Sequence, residues 1–347
     1  MKLQRMAAMP FHLAQVATGA KSFEKNAVLG SRRLNELGLH RARVRAAMRL
    51  AERRRRSLAH GVDAEAIEGY RRDGFVQIND FLAPETFAQV TREIETGTFD
   101  RYDMLQGQTV TRRALIDDRD LRLKPGLRAA RDDPRMSRLI RYVASHRGEP
   151  LLTLQVVMAR GAGEAGSADP QTMLHSDTFQ PTAKAWLFLR DVGPEDGPFQ
   201  YVPGSHLMTP ERLEWEHAIA CRAGDIENRY AARGSLRVAA DDLVNLGYGA
   251  PRAMTVRANT LVVADTHGFH ARSPSPGDTT RIEIYGSLRR NPFLPVALPS
   301  PTSLPGLKGR TNRLVIDGLA ALARAGLRGT PWTSVGEGRA DEWSPLL

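Results

Sequence analysis

The sequence predicts a mainly β fold with helices packed beside the sheet and a basic helical arm in front of it. Three observations lead there. Five strand-length runs are apolar or alternating: Phe75 to Phe81, Leu151 to Met158, Ala183 to Leu189, Thr260 to Ala264 and Arg281 to Tyr285, the patterns of half-buried and fully buried strands. Segments with helical spacing and helix-boundary residues stand between and before them. Charge is unevenly divided: residues 1–60 hold 14 Lys/Arg against 3 Glu, a net +11, while the other 287 residues hold 35 Lys/Arg and 36 Asp/Glu, a net −1.

In chain order, residues 1–39 are mildly apolar, with Phe11, Leu13, Phe23, Val28 and Leu29, and lack the sustained apolar core and cleavage site of a signal peptide. Residues 40–60 read as a basic helix. Val44, Ala47, Met48 and Ala51 form a narrow apolar stripe, and Arg41, Arg43, Arg45, Arg49 and Arg53–Arg56 cover most of the rest. Two readings stay open for it: a solvated face packed by its thin stripe, or an arm docking on anionic lipid. Nucleic acid is not expected, because no aromatic stacking platform accompanies the charge. Val62 to Gly74 reads as a helix stopped by its glycine, Phe75 to Phe81 as a strand, and Ala83 to Ile94 as a helix with Pro84 in its first turn.

Residues 99–150 are mixed and suggest a helical layer, with a helix around Arg135 to Tyr142. Leu151 to Met158 is a strand, and a Gly/Ala/Ser-rich loop at 161–170 follows. After His206 a long insertion, 207–258, begins with helical Pro210 to His217 and reads as a lid or a substrate wall. Residues 289–309 are Pro-rich, Asn312 to Ala325 suits a short helix, and Trp332 and Trp343 are expected to pack back on the domain. The expected units are an arm at 1–62, a core at 63–295 and an extension at 296–347.

Composition is that of an ordinary globular chain: 41% hydrophobic and 25% charged. No apolar run approaches a membrane span. Localisation is expected to be cytoplasmic, with peripheral membrane contact through residues 1–60 as the one addition. The single cysteine, Cys221, excludes an internal disulfide and a cysteine-based metal cluster. Any metal site must therefore use histidine and carboxylate. His175 and Asp177 stand two apart, so on an extended strand both side chains share one face. That is two-thirds of the two-His, one-carboxylate set that holds non-haem Fe(II) with positions open. His267 and His270, both after the Thr260 to Ala264 strand, compete for the third place.

From Leu174 the chain runs His175-Ser-Asp177, the aromatic strand Ala183 to Leu189, the turn Gly193-Pro-Glu-Asp-Gly197, then Val202-Pro-Gly-Ser-His206. Over roughly residues 67–290 the sequence resembles the phytanoyl-CoA dioxygenase family of Fe(II)/2-oxoglutarate oxygenases. The helix, strand and Pro-led helix from 63 to 94 match that family's opening as well. The resemblance implies a double-stranded β-helix (jelly-roll, cupin-like) core and a C–H hydroxylase using Fe(II), 2-oxoglutarate and O2.

By the same resemblance the ligands are His175, Asp177 and His270, because His270 precedes Arg281 by the family's eleven residues. Arg281 then takes the distal carboxylate of 2-oxoglutarate; the alternative is a salt bridge to Glu283 or Asp278. Trp186 and Gln155 are candidates for lining the cosubstrate pocket. His206 reads as a structural turn histidine, and His217 as a helix-face one. Where some relatives carry a small hydroxyl residue two after the distal histidine, this chain has Arg272, with Ser273 as a substitute. Halogenating relatives lack the ligand carboxylate, so Asp177 implies oxygenation. The substrate is expected to be a small molecule or, through the basic arm and the family's namesake, a lipid or acyl chain. The alternatives are a cupin-like metal protein without oxygenase activity and a membrane- or nucleic-acid-associated binding module. The oligomeric state is not encoded legibly.

Overall fold

In the computed structural model, residues 8–161, 169–304, 306–307, 309–327 and 329–347 are described. Most of the Gly/Ala/Ser-rich loop expected at 161–170 lies outside them. The strands are β1 (Phe75–Ile78), β2 (Thr98–Gln106), β3 (Thr109–Ala114), β4 (Leu151–Ala159), β5 (Ala183–Phe188), β6 (Phe199–Tyr201), β7 (Arg252–Ala253), β8 (Thr260–Asp265), β9 (His270–Arg272), β10 (Thr279–Leu288) and β11 (Thr333–Arg339). Eight form one antiparallel sheet in the order β1-β8-β5-β10-β4-β3-β2-β11, and β7-β6-β9 form a second. His175 extends the small sheet by bridging His270 on one side and Arg237 on the other. This is the expected jelly-roll core.

The molecule has three layers. One face of the large sheet carries Leu154, Val156, Leu187, Val263, Ile282 and Ile284, packed on helices Ala64–Asp73, Pro84–Thr96, Pro125–Asp132 and Pro134–Ala144. Each fully buried aliphatic side chain of this kind contributes about 1.5–3 kcal/mol. The opposite face carries Trp186, Phe188 and Val262 against Phe199, Tyr201 and Met254 of the small-sheet side. Alternation along β5 divides the two: Ala185 and Leu187 face the helices, Trp186 and Phe188 the second sheet.

The hairpin β2–β3 was not legible in the sequence, where residues 99–150 read as mixed and helical. Its inward positions include Asp103 and Arg112, both fully buried and joined by Nε–Oδ1 and Nη2–Oδ2 hydrogen bonds of 2.8 Å. A buried ion pair at inward positions erases the apolar alternation that marks a strand. The tail is also a strand: β11 pairs with β2 and closes the large sheet. Trp332 is half-buried, with Arg113 5.9 Å from its ring, but Trp343 is 45% exposed, contrary to expectation.

The basic helix, Leu39–Leu58, is not a thin stripe on a solvated cylinder. Its buried face is His40, Arg43, Val44, Ala47, Ala51, Arg54 and Arg55, so three of the arginines expected in solvent occupy the packing stripe. Arg54 donates to the carbonyls of Ser145 (2.7 Å), Pro292 (2.9 Å) and Leu294 (2.6 Å). Arg43 donates to those of Val16, Thr18 and Ala20 at 2.8–2.9 Å. Phe23 and Leu29 pack with Ala220 and Leu236 of the insertion, and Val28 is buried too, while Phe11 and Leu13 are exposed. Among the described residues no helix is long and apolar enough to cross a membrane.

Candidate metal centre

His175 reaches the site from one isolated residue bridged on both sides rather than from a full strand, and Asp177 lies in a bend two residues on, its N–H donating to the Thr266 carbonyl at 2.8 Å. His270 opens β9. Its backbone exchanges both hydrogen bonds with His175, each 2.9 Å, which sets the two imidazoles side by side with centroids 4.4 Å apart. One ligand atom from each of His175, Asp177 and His270 falls within 4.8 Å of the others. The Nε2 atoms of both histidines stand 3.8 Å from Asp177 Oδ1.

Tautomers are set from behind. Nδ1 of His175 faces the Met173 carbonyl at 2.7 Å, and Nδ1 of His270 faces the Gly268 carbonyl at 2.9 Å. A carbonyl only accepts, so each Nδ1 carries the proton and each Nε2 presents a lone pair to the centre. Nε2 of His270 is buried and has no protein partner. Burial lowers the His270 pKa to about 4, and burial and His270 hold His175 well below its usual value. Both imidazoles are therefore neutral at neutral pH. Burial alone would push the Asp177 carboxyl up; the Lys184 ammonium, with Nζ 2.6 Å from Oδ2, is the largest of the neighbouring charges that outweigh it and hold it ionised. Two neutral imidazoles, one carboxylate and an unpartnered buried nitrogen are a fit for Fe(II).

The other expected residues gather next to this centre. Gln155, Lys184, Trp186, His270, Arg272 and Arg281 line one cavity of about 190 Å³ between the two sheets. Arg281 is buried and donates to the Gly197 carbonyl, its Nε has no partner, and no carboxylate lies within salt-bridge distance among the described residues. The alternative pairing fails on both sides: Glu283 accepts from Gln155, and Asp278 accepts from the Gly161 N–H. Arg272, by contrast, is matched by Asp169 at 3.1 Å.

His267 does not join the triad. Its Nδ1 faces the Thr178 carbonyl at 2.9 Å, in a wholly buried setting. His206 is buried against Tyr70, with ring centroids 5.1 Å apart, and burial lowers it to about 4. His217 is half-buried beside Cys221.

Sequence reasoning missed Asp265. Its carboxylate accepts from the N–H groups of Thr182 (2.9 Å) and His267 (3.1 Å), from Tyr70 Oη (3.0 Å) and from Arg55 of the arm helix (3.2 Å). It thereby fixes the turn 266–269 that delivers His270. Nothing local in sequence announces this, since its partners other than His267 lie 83 to 210 residues away.

Residues 70–234 match the family model described as Phytanoyl-CoA dioxygenase (PhyH), which bears out the resemblance. No curated protein matches the chain. Solved structures to which the chain is similar include three proteins. The epimerase SnoN, in complex with Fe3+, alpha-ketoglutarate and nogalamycin RO, is 19% identical and covers 64% of this chain and 81% of its own, with a TM-score of 0.41. The carbocyclase SnoK from nogalamycin biosynthesis is 22% identical, with 67% and 85% covered and a TM-score of 0.40. HygX from Streptomyces hygroscopicus, with nickel, 2-oxoglutarate and hygromycin B bound, is 17% identical, with 65% and 86% covered and a TM-score of 0.38.

Proposed function

Residues 70–234 carrying the phytanoyl-CoA dioxygenase pattern, we propose that the protein is an Fe(II)- and 2-oxoglutarate-dependent hydroxylase with His175, Asp177 and His270 as metal ligands. The observation that carries this is the pairing of an open ligand set with Arg281, a buried guanidinium that has no carboxylate of its own. A buried, uncompensated charge is costly, and the planar guanidinium suits bidentate capture of a carboxylate. A cupin-like metal protein or a binding module would have no use for that arrangement.

Bound iron supplies O2 reduction coupled to oxidative decarboxylation of 2-oxoglutarate, and with it the power to oxidise a C–H bond. The chain supplies position and dryness. Nδ1 hydrogen bonds hold both imidazoles in the ligating tautomer, Lys184 keeps Asp177 ionised, and Arg281 orients the cosubstrate. Gln155 and Trp186 wall the cavity between the sheets. Asp177 occupies the place a halide would need, which supports hydroxylation over halogenation.

The test is anaerobic loading with Fe(II), addition of 2-oxoglutarate and O2, and measurement of succinate. Slow succinate formation without added substrate is expected, and its loss in Asp177→Ala with folding intact. Wild-type protein that binds iron yet never consumes 2-oxoglutarate would favour the cupin-like alternative.

A further inference from the structure

The cosubstrate cavity occupies one part of the inner face of the large sheet, and a second cationic group stands further along it. On β10, Arg281 and Tyr285 line that cavity. Leu288 packs with the helix-side core, so alternation returns Arg289, the next residue and an exposed one at the strand's end, to the sheet's inner side. Arg289 donates to the Gly19 carbonyl at 3.0 Å. Two residues on, Lys21 donates from Nζ to the Asp177 carbonyl. Arg237 lies directly opposite His175 in the small sheet, so its side chain leaves on the imidazole's face. Its Nη1 donates to Ser235, its Nη2 reaches the Pro170 carbonyl at 3.4 Å, and its Nε is buried without a partner.

Three segments far apart in sequence thus bring cations within electrostatic reach of one another around Asp177: the arm (Lys21), whose ammonium senses the other two, the insertion (Arg237) and the end of β10 (Arg289). They are held there. The Phe23 and Glu24 N–H groups both donate to the Ala232 carbonyl at 3.0 Å, and Gly234, at φ 80°, lies against Lys21 so closely that a Cβ would stand 2.2 Å from the Lys21 carbonyl oxygen. The one carboxylate in their midst, Asp177, is already paired with Lys184. None of the three has a carboxylate within salt-bridge distance among the described residues. The arm's other inward arginines are satisfied by carbonyls or by Asp265. These three retain free donors beside a centre that will also hold a dication.

We infer that Lys21, Arg237 and Arg289 form an oxyanion cradle, so that the primary substrate carries a carboxylate or phosphate group and is held by it next to the metal. This rests on the hydroxylase reading for the word substrate, and on the three side chains for the word anion. The arm and the insertion then belong to substrate recognition, each supplying one leg of the cradle.

Full-length protein loaded anaerobically with Fe(II) and saturated with 2-oxoglutarate, so that Arg281 is occupied, is titrated calorimetrically with sodium hexanoate and separately with inorganic phosphate. At least one should bind at a single site. Arg289→Gln, Arg237→Gln and Lys21→Gln should each weaken it by about tenfold or more, the worth of a charge-assisted contact. Arg289→Lys should restore most of it, and 2-oxoglutarate affinity should be unchanged. Hexanoate alone binding assigns a carboxylate, phosphate alone a phosphate group. Binding of neither probe, or wild-type binding in all three glutamine variants, overturns the cradle. A protein that binds the probe through these residues but takes up no 2-oxoglutarate sinks the hydroxylase reading and leaves the cradle standing.

Discussion

The arm helix and the barrel interior both bury arginines, and they bury them in opposite ways. In the arm, Arg54 spends its donors on three carbonyls and a serine hydroxyl, and Arg55 meets Asp265 and the Val143 carbonyl. Nearby, Arg212 is locked to Glu216, which also meets His40 at 3.1 Å. In the barrel, Arg281 keeps an unpartnered Nε, and His270 an unpartnered Nε2. A closed network is finished by folding. An open one is finished by a ligand. Removing a member of the first should therefore cost stability, and removing a member of the second should cost binding.

The sharpest break of that contrast is at His270. His270→Ala should abolish Fe(II) binding in an anaerobic metal titration, while its thermal midpoint stays close to that of iron-free wild type. His267→Ala should bind iron normally, because His267 contacts Thr178 and not the triad. The reverse pattern would transfer the ligand role to His267.

Next in size is Arg281→Leu. Losing a buried charge-assisted pair costs about 3–5 kcal/mol, so the 2-oxoglutarate requirement should rise by about two to four orders of magnitude. Iron affinity should hold, and so should apo-protein stability, since no internal carboxylate is left behind. An unchanged cosubstrate requirement would show that Arg281 is structural after all.

Arg55→Met is the mirror image. It strands the Asp265 carboxylate, 1% exposed, with only neutral partners, and should destabilise the fold by about 3 kcal/mol in urea denaturation. Lost iron affinity should follow only as far as the turn to His270 loosens. A variant as stable as wild type would mean that the arm is an appendage.

The same contrast explains what the sequence could and could not tell. The candidate site was legible because its residues are close in sequence or tied to a motif: His175 and Asp177 follow from their spacing, His270 and Arg281 from the resembled family's eleven-residue interval, and strands from apolar alternation. The closed networks were not. Asp103 and Arg112 hid a hairpin by replacing apolar inward residues, and Arg43, Arg54 and Arg55 hid the packing face of a helix by looking like solvent-facing charge. Pairings such as Arg55 with Asp265 join residues 210 positions apart, and no local pattern records them. A charge count places the arm's +11 on a surface; only the partners show which charges are there.

The smallest expected effect concerns the charges that do remain outside. Arg45, Arg49, Arg53 and Arg56 are exposed, and their spacing of four, four and three lays them along one ridge of the Leu39–Leu58 helix. With no buried partner, their joint replacement by Gln should change stability by about 0.5 kcal/mol or less per site and leave succinate formation untouched. The membrane expectation now narrows to this ridge, because Arg43, Arg54 and Arg55 are turned inward and Phe23, Val28 and Leu29 are buried. Each exposed arginine near an anionic surface is worth about 1 kcal/mol, so the full chain should float weakly with anionic vesicles at low salt, detach at high salt, and lose flotation in the four-fold variant. Flotation that survives the substitutions would move the contact to exposed Phe11 and Leu13. A chain starting at residue 61 is the wrong comparison, since it also deletes the inward arginines and is expected to unfold.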